Sequence, residues 1–214
     1  MMKDLTIPMF EAEQSIIVTQ SDEMALSCVA TDKQALRNIM HLHNGGRRFA
    51  VDAAYSKGVM WRGLPEPEMK FDLAPQVDGV EQSDARSLPL EDGSVDSVAF
   101  DPPFLVRTGS GSLIKDRFSC FSSVDEMWSV YGDALSEFMR VLEPKGIVAF
   151  KCQSQIYSGK QVWSEEEVFF MARQRGFYVQ DKLYRLNGNP MARPGNHTQR
   201  HARRNVSTWW VFRK

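Results

Sequence analysis

The feature that most constrains this chain is an apolar strand that runs directly into an acid, two prolines and an aromatic residue. Val95–Phe100 has the apolar pattern of a buried strand, and Asp101, Pro102, Pro103 and Phe104 follow it. Each proline lacks an N–H group and restricts the residue before it, so the backbone can neither extend the strand nor begin a helix. A carboxylate, carbonyl groups and an aromatic face are therefore expected at the carboxyl end of a sheet, where ligands bind in open α/β folds.

Strand and helix patterns alternate along most of the chain. Further strands are predicted at 48–52, 69–73, 80–85, 147–152, 177–186 and 205–212. Helices are predicted from Asp32, as N-cap, to about His43, from a capping box at Ser123 to about Leu142, and from a capping box at Ser164 to Gly176. This order predicts an α/β fold with a mostly parallel sheet and an antiparallel C-terminal hairpin.

Length and composition favour a single soluble domain over residues 1–214. We expect 1–31 to be an N-terminal extension and 105–122 to be a loop that shapes substrate recognition. Three widely spaced cysteines (Cys28, Cys120 and Cys152) argue against a disulfide framework or a zinc site and for a reducing compartment. No signal-peptide pattern and no apolar run of about 18 residues is found, so a cytoplasmic protein without a membrane partner is expected.

Positive charge is concentrated at the C-terminal end. Residues 182–214 contain eight Lys or Arg and no Asp or Glu, whereas the other residues hold 18 basic and 27 acidic side chains. A basic end on an acidic chain predicts contact with a polyanion, although an ordinary solvated surface strand would have the same composition. The candidate phosphate contacts are Arg193, Arg200, Arg203 and Arg204.

Three further acids lie at or near the ends of earlier predicted strands. They are Asp52, Asp72 and Asp84. In nucleotide-binding sheets, an acid on the second strand typically accepts hydrogen bonds from ribose hydroxyl groups, and an acid on the third can face an adenine amino group. Each acid alone could equally be a turn or cap residue, but their order ahead of Asp101 favours a nucleotide site.

The segment from Asp84 to Phe104 resembles the central segment of amino-group DNA methyltransferases, especially small phage and prophage enzymes. Supporting similarity lies at 52–58, 71–72, 137–146, 150–153 and 199–203, so the resemblance covers roughly residues 48–214. It implies a Rossmann-like, SAM-dependent methyltransferase fold, with S-adenosyl-L-methionine (SAM) as cofactor and S-adenosyl-L-homocysteine as product. The family methylates N6 of adenine or N4 of cytosine, and aspartate at the first motif position favours adenine.

The resemblance assigns catalysis to Asp101, Pro102, Pro103 and Phe104. Hydrogen bonds from the substrate amino group to the Asp101 carboxylate and the Pro102 carbonyl would free the nitrogen lone pair for in-line attack on the sulfonium methyl group. Phe104 would stack on the base, which must leave the double helix to reach the site. This chemistry requires no metal.

The cofactor loop departs from the family pattern. The family has an aromatic residue and a glycine-rich run after the first strand, whereas this chain has Asp52, Tyr55, Lys57 and a single glycine, Gly58, at that place. Gly58 would allow close backbone approach, and Tyr55 and Lys57 are candidate contacts to the amino-acid part of SAM. Together with the three acids named above, these residues form the expected cofactor set.

DNA is the expected partner. Arg107, after the catalytic motif, and Lys151, near the end of the strand at 147–152, are further candidate contacts to nucleic acid. Two alternatives stay open: an RNA base methyltransferase with the same chemistry, and a non-catalytic nucleic-acid-binding module that retains the fold, which the altered cofactor loop motivates. Neither the recognition sequence nor the oligomeric state, monomer or homodimer, follows from the sequence.

Overall fold

An eight-stranded sheet forms the centre of the computed structural model, which describes residues 24–106, 120–188, 200–202 and 204–214. The strands of this sheet are β1 (Cys28–Val29), β2 (Val51–Asp52), β3 (Met69–Asp72), β4 (Glu81–Gln82), β5 (Val95–Phe100), β6 (Leu142–Cys152), β9 (Tyr178–Leu186) and β10 (Val206–Arg213). A separate hairpin is formed by β7 (Gln155–Tyr157) and β8 (Lys160–Val162). The helices are α1 (Asp32–His43), α2 (Val124–Val141) and α3 (Ser164–Gln174), with one turn of 3₁₀ helix at Val59–Trp61.

The order of the strands is β1-β9-β10-β6-β5-β2-β3-β4. Strands β4, β3, β2, β5 and β6 pair in parallel, whereas β10 is antiparallel to both β6 and β9. The predicted fold class, a mostly parallel sheet with an antiparallel C-terminal hairpin, is therefore confirmed. Because β3 and β4 lie on one side of β2 and β5 and β6 on the other, the order reverses between β2 and β5, and ligands bind outside the carboxyl ends of strands at such a point.

Two apolar clusters cover the two faces of the sheet. One packs beside α1 and includes Phe49, Trp61 and Trp209, and the other packs beside α2 and α3 and includes Phe100 and Trp210. Successive side chains of a strand point to opposite faces, which places Trp209 and Trp210 in different clusters. The same alternation puts Asp101, Lys151 and Asp52 on the α1 face, each next to a residue of the other cluster.

Two predicted N-caps lie one residue away from the observed ones. Thr31, not Asp32, caps α1, because its hydroxyl oxygen accepts a hydrogen bond from the Gln34 N–H at 3.1 Å. Ser164 is the first helical residue of α3, and the hydroxyl oxygen of Ser154 accepts from its N–H at 3.0 Å. The Ser123 cap of α2 is confirmed, with 3.0 Å between its hydroxyl oxygen and the Glu126 nitrogen.

The chain also forms short elements that no sequence pattern indicated. These are β1 and the β7–β8 hairpin, whose strands are two or three residues long. Strands this short offer no periodicity to detect, and their pairing depends on neighbours distant in sequence. Among the described residues, no helix combines the length and the apolar character that crossing a membrane requires.

Candidate active site

Asp101 follows β5 directly, at the edge of the sheet next to β2. Its Oδ2 accepts a hydrogen bond from the Lys151 Nζ at 2.9 Å, and the same Nζ lies 3.1 Å from Oδ1 of Asp32, at the start of α1. Trp209 of β10 donates from Nε1 to Asp32 Oδ1 at 3.0 Å. Asp101, Lys151 and Asp32 thus form an ion-pair chain that joins β5, β6 and α1.

Burial and neighbouring charges shift the pKa values of Asp101 and Lys151 in opposite directions. Burial raises the pKa of Asp101, and the ammonium group of Lys151 opposes that effect without cancelling it. Burial lowers the pKa of Lys151, but the carboxylates of Asp101 and Asp32 outweigh it and the pKa is raised. Lys151 is therefore held as a buried cation whose charge is directed at Asp101.

The backbone after Asp101 is held by side chains from two other elements. Tyr131 of α2 donates its hydroxyl proton to the Pro103 carbonyl at 2.7 Å. The side-chain amide of Gln155, in β7, donates to the Phe104 carbonyl and accepts from the Val106 N–H at 3.2 Å. Among the described residues, no hydrogen-bond donor contacts the carbonyl oxygen of Pro102, which is a buried residue.

A backbone bridge joins the residues on either side of segment 107–119. The Phe121 N–H donates to the Leu105 carbonyl at 2.9 Å, and buried Val106 and Phe121 pair as a single parallel bridge. The residues that flank segment 107–119 are therefore fixed beside the Asp-Pro-Pro-Phe motif. Arg107 lies outside the described residues.

Asp52 ends β2 and is fully buried. Its carboxylate accepts hydrogen bonds from the Ala54 N–H at 2.9 Å and from the Trp61 Nε1 at 2.6 Å. Burial, opposed by these two hydrogen bonds and assisted by the charges of Asp101 and Asp72, raises its pKa to about 7. The three acids therefore act on one another at one edge of the sheet, and Asp52 organises the loop after β2 from inside.

Tyr55 and Gly58 pack against each other. Gly58 has φ +63°, and a Cβ atom at this position would lie 2.3 Å from the Tyr55 hydroxyl oxygen. Tyr55 is buried, Lys70 lies 5.3 Å from its ring centroid, and burial together with the neighbouring Glu66 raises its pKa to about 12. The glycine thus makes room for the protein's own tyrosine, while Lys57 of the same loop is exposed.

Asp72 and Asp84 differ in what their carboxylates hold. Asp72 is half-buried and accepts from the Ser56 N–H at 2.7 Å and the Ala74 N–H at 2.8 Å, one on each oxygen. A carboxylate oxygen has two acceptor positions, so Asp72 can still bind hydroxyl groups such as those of a ribose. Asp84 binds the Arg86 guanidinium group through both oxygens, with the closest pair at 2.6 Å, and the hydrogen bonds from Arg86 lower its pKa.

The predicted nucleic-acid contacts fall into three groups. Lys151 is buried and its ammonium group is bound to two carboxylates, and its contact to nucleic acid stays a prediction. Arg200 is exposed, and Arg204 lies over the Trp163 ring with 4.6 Å between the guanidinium carbon and the ring centroid. Arg193 and Arg203 lie outside the described residues.

Several residues that organise the site escaped the sequence analysis. Asp32, Tyr131 and Gln155 contact the motif or its ion-pair partner from elements remote in sequence, and they have no local signal. A local sequence signal did exist for Glu137 and Arg140, because an acid and a base three residues apart on a helix form a pair. Their pair binds the backbone at Leu88 and Leu90 and the side chain of Asp92, in the segment that leads into β5.

Comparisons with known proteins give relatives by fold. No known protein family and no curated protein sequence matches this chain. A protein from Galdieria sulphuraria, provisionally named a sarcosine dimethylglycine methyltransferase, matches with a TM-score of 0.53 at 14% identity, over 85% of this chain and 84% of its own. A provisionally named DNA modification methylase from Thermus thermophilus, crystallised with SAM, matches with a TM-score of 0.43 at 18% identity.

A third solved structure is the cytosine-N4-specific PvuII DNA methyltransferase, with a TM-score of 0.45 at 17% identity. The match spans 53% of the Thermus chain and 47% of the PvuII chain, about half the length of each. The strand order among the described residues and the match to the Galdieria protein, over 85% of this chain, both indicate the fold. This chain has the Rossmann-like α/β fold of SAM-dependent methyltransferases.

Proposed function

We propose that the protein is a SAM-dependent methyltransferase of the phage and prophage type that acts on the exocyclic amino group of a base in DNA, with adenine N6 as the favoured acceptor. One observation supports this most. Asp101 and the Pro102 carbonyl provide two adjacent acceptors at the strand-order reversal, on a backbone fixed by Tyr131 and Gln155. A primary amine with two N–H groups is the ligand that such a pair of acceptors suits.

The residues at the ends of β2 and β3 fit the cofactor. Asp72 has acceptor positions for ribose hydroxyl groups, and the loop after β2, with Lys57, lies beside it. The shape of this loop is set by the buried contacts of Asp52, Tyr55 and Gly58. When bound, SAM supplies an electrophilic methyl group on a sulfonium. Asp84, a further predicted cofactor residue, follows β4, which is one strand beyond β3 in the sheet.

The catalytic residues then act by positioning and electrostatics. Hydrogen bonds from the amino group to Asp101 and to the Pro102 carbonyl localise the lone pair on nitrogen and fix its direction of attack. Phe104, which is partly exposed, offers its ring to the flipped base. Methylation of the amino nitrogen, with S-adenosyl-L-homocysteine as the leaving group, leaves one excess proton that the Asp101 carboxylate can accept.

The test is methyl transfer from radiolabelled SAM to unmethylated DNA and, separately, to RNA, followed by digestion to nucleosides and chromatography. We expect label in N6-methyladenine from DNA. Label found only in RNA would replace DNA as the substrate, and label in N4-methylcytosine would replace adenine. A protein that binds no SAM and labels neither polymer is the non-catalytic module, and the enzyme proposal is then wrong.

A further inference from the structure

The ion-pair chain contains a cation that the proposed reaction does not itself require. Lys151 is buried, it donates to only one oxygen of Asp101, and it is fixed from behind by Asp32. Asp32 is fixed in turn by the Trp209 Nε1, on a strand of the central sheet. Each member of this ion-pair chain therefore has a partner on another element.

We propose that Lys151 is a positioning residue of the proposed methyl transfer: it binds Asp101 Oδ2 and thereby turns Oδ1 toward the substrate amino group. This inference rests on the proposed function. An unpaired carboxylate can rotate about χ2 and can take up a proton, and in both cases it loses the acceptor that the amine needs. A charged donor on one oxygen opposes both.

The geometry also predicts the direction in which Lys151 shifts the titration of Asp101. The groups whose charges act on or respond to Asp101 are Lys151, Asp32, Arg185, Asp52, Tyr131 and Cys152. Lys151 and Arg185 favour the ionised form of Asp101, and Asp32 opposes it. Removal of Lys151 and removal of Asp32 should therefore move the titration of Asp101 in opposite directions.

The experiment compares Lys151→Met, Lys151→Arg and Asp32→Asn with the wild-type protein. Lys182→Met is the matched control, because Lys182 is partly buried and, like Lys151, lies over a tryptophan ring: its Nζ is 4.4 Å from the ring centroid of Trp210, on the other face of the sheet. The readouts are SAM affinity by calorimetry, kcat and its pH profile, and the Asp101 titration by carbon NMR of labelled carboxyl groups. Thermal unfolding reports whether each variant folds.

We expect Lys151→Met to lower kcat by at least about tenfold with SAM affinity within about threefold, as for loss of a preorganised charged donor. The pKa of Asp101 should rise by at least about one pH unit, and the midpoint of the acid limb of the kcat–pH profile should rise with it. Lys151→Arg should recover part of kcat, and Asp32→Asn should lower the Asp101 pKa. If Lys151→Met does not fold, the Asp32→Asn titration and the Lys151→Arg kinetics provide the same test.

Failure of the inference and failure of the proposed function give different results. An active wild-type enzyme whose Lys151→Met variant keeps its kcat, or gains activity, overturns the positioning role, and a gain would mean that Lys151 competes with the substrate amine. An Asp101 titration that does not respond to either variant also overturns it. A wild-type protein that transfers no methyl group overturns the proposed function, and a loss of kcat in Lys182→Met equal to that in Lys151→Met would assign the effect to folding.

Discussion

At the scale of single residues, the proposed chemistry depends on Asp101, whose side chain is partly exposed. Asp101→Ala should abolish methyl transfer, because the amine loses its charged acceptor, while SAM affinity stays within about tenfold, or roughly 1.4 kcal/mol. Calorimetry and the labelled-SAM assay measure the two quantities. Asp78→Ala, which removes an exposed acid on another loop, should keep full activity. Normal turnover in Asp101→Ala would contradict the catalytic assignment.

A second residue, Asp52, should make the stability of the protein depend on pH. Its pKa is raised from 3.8 to about 7 by burial, so the folded state binds a proton that the unfolded state releases between these values. Its contribution to the free energy of unfolding is therefore full below about pH 4 and is lost as pH rises to about 7, a change on the order of 4 kcal/mol. The stability of wild type relative to Asp52→Asn, measured by urea unfolding, should fall from pH 5 to pH 8. A constant or rising difference would contradict this.

At the scale of elements, α2 holds the segment that leads into β5. Glu137 accepts from the Leu88 N–H at 2.7 Å and from Arg140, which in turn donates to the Leu90 carbonyl at 2.8 Å. The hydrogen bonds from Arg140 lower the pKa of Glu137 against its burial. A lowered pKa stabilises the fold above the ordinary pKa of the group, and that stability is lost as pH falls.

Glu137→Gln should therefore lower the free energy of unfolding by about 1–3 kcal/mol at pH 7, because the Arg140 guanidinium loses its charged partner. The loss should shrink toward pH 3, opposite to the Asp52 trend. Glu143→Gln, at an exposed position after the same helix, is the control and should be nearly neutral. Urea unfolding of the three proteins at both pH values measures the effect. A loss of stability in Glu137→Gln that grows as pH falls would contradict the stabilising role of the Glu137–Arg140 pair.

At the scale of the whole molecule, sequence patterns predicted the features that depend on residues close together in the sequence. The bounds of β5 were predicted without error, because a turn precedes it and two prolines follow it. The strand order and the ion-pair chain depend on contacts between distant residues: Lys151 and Asp101 are 50 positions apart, and Trp209 and Asp32 are 177 apart. No local pattern encodes such pairs, so the sequence did not predict the ion pairs of Lys151, and it predicted Asp32 as a cap only.

The uneven charge of the whole chain gives the last prediction, because eight basic residues and no acid follow position 181. Replacing Arg200, Arg203 and Arg204 together with alanine should weaken DNA binding and reduce the slope of log K against log salt by about 0.9 for each phosphate that is no longer neutralised. Fluorescence anisotropy over a salt series measures both. A charge-matched control, Arg37, Arg62 and Arg173 to alanine, removes three exposed arginines from the rest of the chain. Equal slopes for the two triple variants would mean that the negative polymer is attracted by net charge alone, and a reduced slope in the first variant only would assign DNA contact to the loop between β9 and β10.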